Sequence, residues 1–196
     1  MRLYFKLLAF FILVSFRSFS NDCGTTTVSL GTADGSFTSC GGVAGINTFN
    51  GYLDDKAKIP FKNGADLILA SNVFAHADDL KSMALSMKNL LKPEGKIVIE
   101  VQYLLNTLQD LTFDNIYHEH FNYWCLSTLK KFLEKLDLKI YKAEKINTHG
   151  GSIRIYVSQD MKLKDDDSVK KLLHEEEKFG LSKMSTYNDF SKKINQ

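Results

Sequence analysis

Ala65-Asp66-Leu67-Ile68-Leu69-Ala70, followed by Asp78-Asp79 and then by Lys96-Ile97-Val98-Ile99-Glu100-Val101, is the stretch that decides the fold. The first short apolar run has the composition of a strand buried on both faces. Between the two runs Leu80, Met83, Ala84, Met87, Leu90 and Leu91 recur at helical spacing, and Pro93 with Gly95 is expected to stop the helix. Strand, amphipathic helix, strand implies a right-handed parallel crossover in an α/β sheet. Ligands of such sheets sit beyond the carboxyl ends of the strands, here Ser71-Asn72-Val73 and Glu100-Val101-Gln102.

Downstream, residues 104–111 are a short helix candidate and residues 127–136 a stronger one, with Ser127 as its expected cap. Residues 138–146 and 152–158 alternate as two strands joined by Thr148-His149-Gly150-Gly151, an antiparallel edge hairpin. From Asp165 the chain is charged, with Val169, Leu172, Leu173 and Phe179 at helical spacing; a solvated helix with a frayed end is expected.

Upstream the chain changes character. Residues 21–51 are rich in Gly, Thr, Ser and Asn and read as loops with one weak strand near Val28 to Leu30. Residues 1–20 carry Arg2, Lys6, an apolar run over residues 7–16 and small residues at Ser18 and Ser20, the pattern of a secretory signal. That run is too short for the roughly twenty residues of a membrane-spanning helix, so no stable span is expected; a buried strand or helix is the alternative. The organisation expected is therefore a signal-like segment (1–20), an irregular segment (21–64), a catalytic region (65–160) and a charged helix (161–196).

With 25 basic against 23 acidic residues in 196, the net charge of +2 provides no field to hold a nucleic acid or an anionic membrane. Cys23, Cys40 and Cys125 make no Cys-x-x-Cys pair, which argues against a disulfide scaffold; Cys23 and Cys40 could bridge only if exported.

Ile116-Tyr117-His118-Glu119-His120-Phe121 crowds ionisable groups into a segment that follows the strand ends. Imidazole titrates near neutrality, so a positioned His can take a proton while a neighbouring carboxylate orients its ring. Two other readings stay open: a metal site using His118 and His120 with His76 or His149, and a hydrogen-bonded structural loop.

Three motifs, Ala70-Ser71-Asn72-Val73-Phe74-Ala75-His76, Ile116-Tyr117-His118-Glu119-His120 and Thr148-His149-Gly150-Gly151-Ser152-Ile153-Arg154, together resemble the S-adenosylmethionine-dependent C-methyltransferases of nucleotide-linked 4-keto deoxysugars. The resemblance implies a partial class I, Rossmann-like methyltransferase sheet with flanking helices. It implies His120 as the base with Tyr117 and Glu119 as its partners, His76, His118 and Tyr123 around the sugar, and His149 and Arg154 either helping there or holding the loop. Asn72 and Val73 would face S-adenosylmethionine, as would Gly31, Asp34 and Gly35 if residues 28–37 are a degraded copy of the cofactor loop; no metal is implied. The family begins with a cysteine-bearing zinc module and ends in a further α/β domain, so the chain is expected to be truncated at both ends, with the second strand and its acidic ribose ligand lost between residues 37 and 45. A cytoplasmic enzyme acting on a nucleotide sugar is the leading expectation, and an exported or inert non-enzymatic remnant or binding module the alternative. The sequence gives no oligomeric state.

Overall fold

The computed structural model describes residues 11–17, 25–30, 53, 64–77, 79–116, 120 and 122–195. They build one six-stranded mixed sheet of strands β1 (Phe11–Arg17), β2 (Thr25–Leu30), β3 (Ala65–Ser71), β4 (Leu91–Gln102), β5 (Lys139–Ile146) and β6 (Ser152–Ser158), in the order β2-β1-β3-β4-β6-β5. Only β3 and β4 run parallel, as the crossover between them requires. Every other neighbouring pair is antiparallel.

The crossover is helix α1 (Leu80–Leu90). Asp79 caps it by accepting a hydrogen bond from the Ser82 amide at 2.9 Å. Met83, Ala84 and Met87 share one buried stripe. The helix gives way at Leu91 directly to β4, five residues before the run that signals the strand. Pro93 is tolerated there because the pairing with β6 starts only at Ile97 and the β3 register slips between Ala65 and Leu67.

One face of the sheet is dry. Ile68, Ala70, Ile97, Ile99, Val101, Ile153, Ile155 and Val157 are buried in the same core as Met83 and Met87 of α1, Leu105 and Leu108 of α2 (Leu104–Gln109) and Leu126, Leu129 and Leu133 of α3 (Leu126–Glu134). The opposite face carries two cross-strand rows, Leu69-Val98-Tyr156 and Ser71-Glu100-Arg154, which are only partly covered or exposed among the described residues.

Residues 11–16 of the N-terminal apolar run lie in β1, an inner strand between β2 and β3. Two sequence expectations change. Helix α3 is capped at Cys125 rather than Ser127, because the amides of Leu126 and Ser127 are taken by the Glu176 carboxylate at 2.5 and 3.0 Å. The charged tail is not one solvated helix but two, α4 (Asp167–Phe179) and α5 (Met184–Ile194). They are separated at Gly180, whose φ of 86° lets its amide return to the Glu176 carbonyl. Helix α4 packs Val169, Leu172 and Glu176 toward α3 and β5. No helix among the described residues is long and apolar enough to cross a membrane.

Candidate active site

The carboxyl end of β3 turns sharply. Asn72 adopts a left-handed φ of 55°, which Asn tolerates better than most residues, and its amide donates to the Glu100 carbonyl at 2.8 Å. Val73 is buried, and its carbonyl accepts the His76 amide at 3.0 Å. Phe74 fastens this turn from below: it is fully buried, with its ring centroid 6.1 Å from that of Trp124 and 6.3 Å from that of Phe132.

With the turn fastened, His76 meets His120 edge to face, ring centroids 4.8 Å apart, and Tyr123 stands on His120 at 6.2 Å. Three residues singled out in the sequence, separated by up to 47 positions, are thereby brought together. His120 Nδ1 lies 2.9 Å from the Asn115 carbonyl oxygen. A carbonyl can only accept, so Nδ1 carries the hydrogen and the neutral ring keeps its lone pair on Nε2.

Thr148-His149-Gly150-Gly151 forms the hairpin turn beside this cluster. His149 is exposed with φ 50°, and Gly150 and Gly151 have φ 75° and 106°. The Gly151 carbonyl accepts the Tyr103 amide at 3.2 Å, and the Thr148 hydroxyl donates to Glu100 at 3.2 Å.

The contacts of Arg154 are with carboxylates rather than with the imidazoles. Its Nε and Nη2 reach Glu100 Oε2 at 3.2 and 3.0 Å, and its Nη1 reaches Glu144 Oε1 at 3.2 Å. The Glu100 hydrogen bond is the main reason that the guanidinium is held above its usual range. Tyr156 donates to Glu144 at 2.6 Å, and that bond, with Lys142 and Arg154 nearby, holds the Glu144 carboxyl below the usual carboxylate range. A depressed carboxyl stabilises the fold above its unfolded pKa, and the contribution is lost as pH falls through the folded value. Tyr156→Phe should therefore narrow the stability difference between pH 7 and about pH 4, which urea unfolding at the two pH values measures.

A cavity of about 430 Å³ lies on the open sheet face, lined by Leu69, Ala70, Ser71, Val98, Glu100, Arg154 and Tyr156. Tyr156 and Asn115 went unnoticed in the sequence, and Glu100 was named there only as part of the carboxyl end of its strand, where it is a lone acid in an apolar run. Tyr117, His118 and Glu119, and Gly31, Asp34 and Gly35 of the expected cofactor loop, lie outside the described residues, as do Cys23 and Cys40 and the expected gap in the sheet. Among the described residues no three His, Cys, Asp or Glu side chains are placed to hold a metal ion.

The chain matches two families in tandem. Residues 15–143 match the family described as "Methyltransferase domain", and residues 147–196 that described as "C-methyltransferase C-terminal domain". It is 31% identical over 130 residues to the C-methyltransferase NovU of Streptomyces niveus, an alignment covering 65% of this chain and 30% of that protein. The chain thus spans about a third of the curated relative it matches. Among solved structures, the putative methyltransferase complexed with the Haloferax volcanii Trm112 activator aligns with a TM-score of 0.49 and 15% identity, over 61% of this chain and 64% of that one. A possible histamine N-methyltransferase from Thermotoga maritima aligns with a TM-score of 0.47 and 12% identity, over 59% and 65%. On the match that takes in residues 15–143, well over half its length, the chain belongs to the methyltransferase-domain family.

Proposed function

We propose that the chain carries the catalytic half of an S-adenosylmethionine-dependent C-methyltransferase whose substrate is a nucleotide-linked keto sugar, with His120 as the base. The observation that carries this reading is the orientation of His120 beside His76 and Tyr123: with Nδ1–H donating to the Asn115 carbonyl, the basic lone pair of the neutral ring is on Nε2.

The described residues suit a methyl donor at the carboxyl edge of the sheet. Asn72 and Val73 turn the chain outward there, and the adjoining cavity falls within the ~300–1,000 Å³ typical of small-molecule sites. S-adenosylmethionine, when bound, supplies an electrophilic methyl group on a sulfonium centre. His120 Nε2 would remove the proton from the carbon next to the sugar ketone, leaving a carbanion delocalised onto the ketone oxygen as the nucleophile for that methyl group. On accepting the proton the imidazole becomes cationic, which strengthens its Nδ1–H bond to Asn115 as the charge appears. His76 and Tyr123 pack around the ring and restrict its rotation, holding Nε2 in one direction. Glu119 and Tyr117 are assigned to the base, and His118, His149 and Arg154 to the sugar, on the motif alone. Because donor and nucleotide sugar are made in the cytoplasm, the reaction belongs there.

Incubation of the chain with a nucleotide-linked 4-keto deoxysugar in D₂O tests the first step without the donor. Deuterium should enter at the carbon beside the ketone faster than in a protein-free control. Equal rates would refute the base assignment.

A further inference from the structure

The one-turn 3₁₀ helix Phe113–Asn115 that orients His120 has no core of its own. None of its residues is buried, and Phe113 and the following Ile116 are 54% and 52% exposed. A backbone carbonyl that must hold an imidazole at 2.9 Å needs a firmer seat than such a segment provides by itself.

The hairpin turn supplies that seat. A Cβ on Gly150 would stand 3.2 Å from Asn115 Nδ2 and 3.7 Å from Thr112 Cγ2, and one on Gly151 would stand 2.7 Å from Asn106 Cβ. Gly151 therefore lies against α2 with no room for a side chain between, and a side chain on Gly150 would press on Asn115 and touch Thr112. The turn is itself fixed from three directions: the Gly151 carbonyl to the Tyr103 amide, the Thr148 hydroxyl to Glu100, and the Ser152 hydroxyl to the Thr148 carbonyl at 3.0 Å.

We infer that the turn of residues 148–151 is a positioning element for the base: it seats Asn115, and the Asn115 carbonyl holds His120 as the Nδ1–H tautomer. The turn falls within the segment matching the C-methyltransferase C-terminal domain, whereas His120 falls within the methyltransferase domain, so the second segment sets the chemistry of a residue in the first. Gly150 and Gly151 act here through Asn115 and touch no substrate. The inference rests on His120 being the base only for its catalytic meaning; the geometry is tested without any reaction.

The test is the tautomer of His120 in the folded, ¹⁵N-histidine-labelled chain, read from long-range ¹H–¹⁵N correlations at about pH 8, above the ordinary imidazole range. His120→Gln assigns the signal among the five histidines. The wild type should show Nδ1–H. Gly150→Ala should mix in the Nε2–H form, because its methyl group displaces Asn115. Should Gly150→Ala fail to fold, Thr148→Ala, which frees the turn from Glu100, should mix the tautomers in the same direction. An Nε2–H wild type overturns the proposal, as does a pure Nδ1–H signal in folded Gly150→Ala, or in folded Thr148→Ala where that variant stands in.

Discussion

His120→Ala should slow deuterium entry beside the sugar ketone by about 10²–10⁴-fold, the usual range for removing a positioned general base. Binding of the nucleotide sugar should change far less. Among the described residues the imidazole beside His120 is that of His76, at 4.8 Å between centroids, and it belongs to the turn after β3. Proton transfer falls steeply with misplacement, so a base displaced by a few ångströms recovers little of the loss. Exchange at the wild-type rate in the folded variant would remove His120 from the mechanism.

Glu176→Ala should cost about 1.5–5 kcal/mol of folding stability. Glu176 is 3% exposed and its carboxylate accepts three hydrogen bonds: Tyr103 Oη at 2.8 Å, the Leu126 amide at 2.5 Å and the Ser127 amide at 3.0 Å. Truncation removes the cap of α3, which is worth ~0.5–2 kcal/mol, and leaves the buried Tyr103 hydroxyl without its acceptor, at ~1–3 kcal/mol. Burial first, and then the adjacent carboxylate, hold the Tyr103 hydroxyl far above its usual pKa, so that hydroxyl remains a donor and cannot ionise to relieve the loss. Glu176→Gln keeps the shape but turns an NH₂ group toward donors, and should cost about 1–3 kcal/mol. Urea unfolding with an unchanged m-value checks both; an Ala variant within about 0.5 kcal/mol of wild type would contradict the assignment. The effect extends toward the site, since α3 follows directly on Tyr123 and Trp124, and the Trp124 carbonyl accepts the Leu104 amide at 2.8 Å.

The same residue shows why parts of this molecule were legible in the sequence and others were not. Strand β3, helix α1, strand β4 and the β5–β6 hairpin could be read because each announces itself locally, by an unbroken apolar run, a helical stripe or a pair of turn glycines. The cap of α3 was misassigned to Ser127 because its true partner lies about fifty residues downstream. The charged tail looked solvated because its buried stripe is narrow: Val169, Leu172 and Glu176, the last of them a charge that only its three donors make tolerable inside. Helix α5 was missed because it buries no side chain fully and rests Tyr187 and Phe190 against the core.

At the site, the sequence marked His76, His120 and Tyr123, and the fold brings them into contact. What orients the His120 ring was not readable. It is a backbone carbonyl, present at every position, and only the fold selects that of Asn115. Arg154 was marked by the family resemblance, for the sugar or for holding the loop; its engagement by Glu100 and Glu144 across neighbouring strands depends on a register that its own local sequence does not display.

Calorimetric titration of the purified, folded chain with S-adenosylmethionine tests the central claim most directly, because methyl transfer depends on that site whatever the sugar. The account predicts saturable binding at one site per chain, with Asn72→Ala or a bulkier residue at Val73 weakening it. No heat of binding from a sample shown to be folded would contradict it, and the chain alone would then not be a methyltransferase.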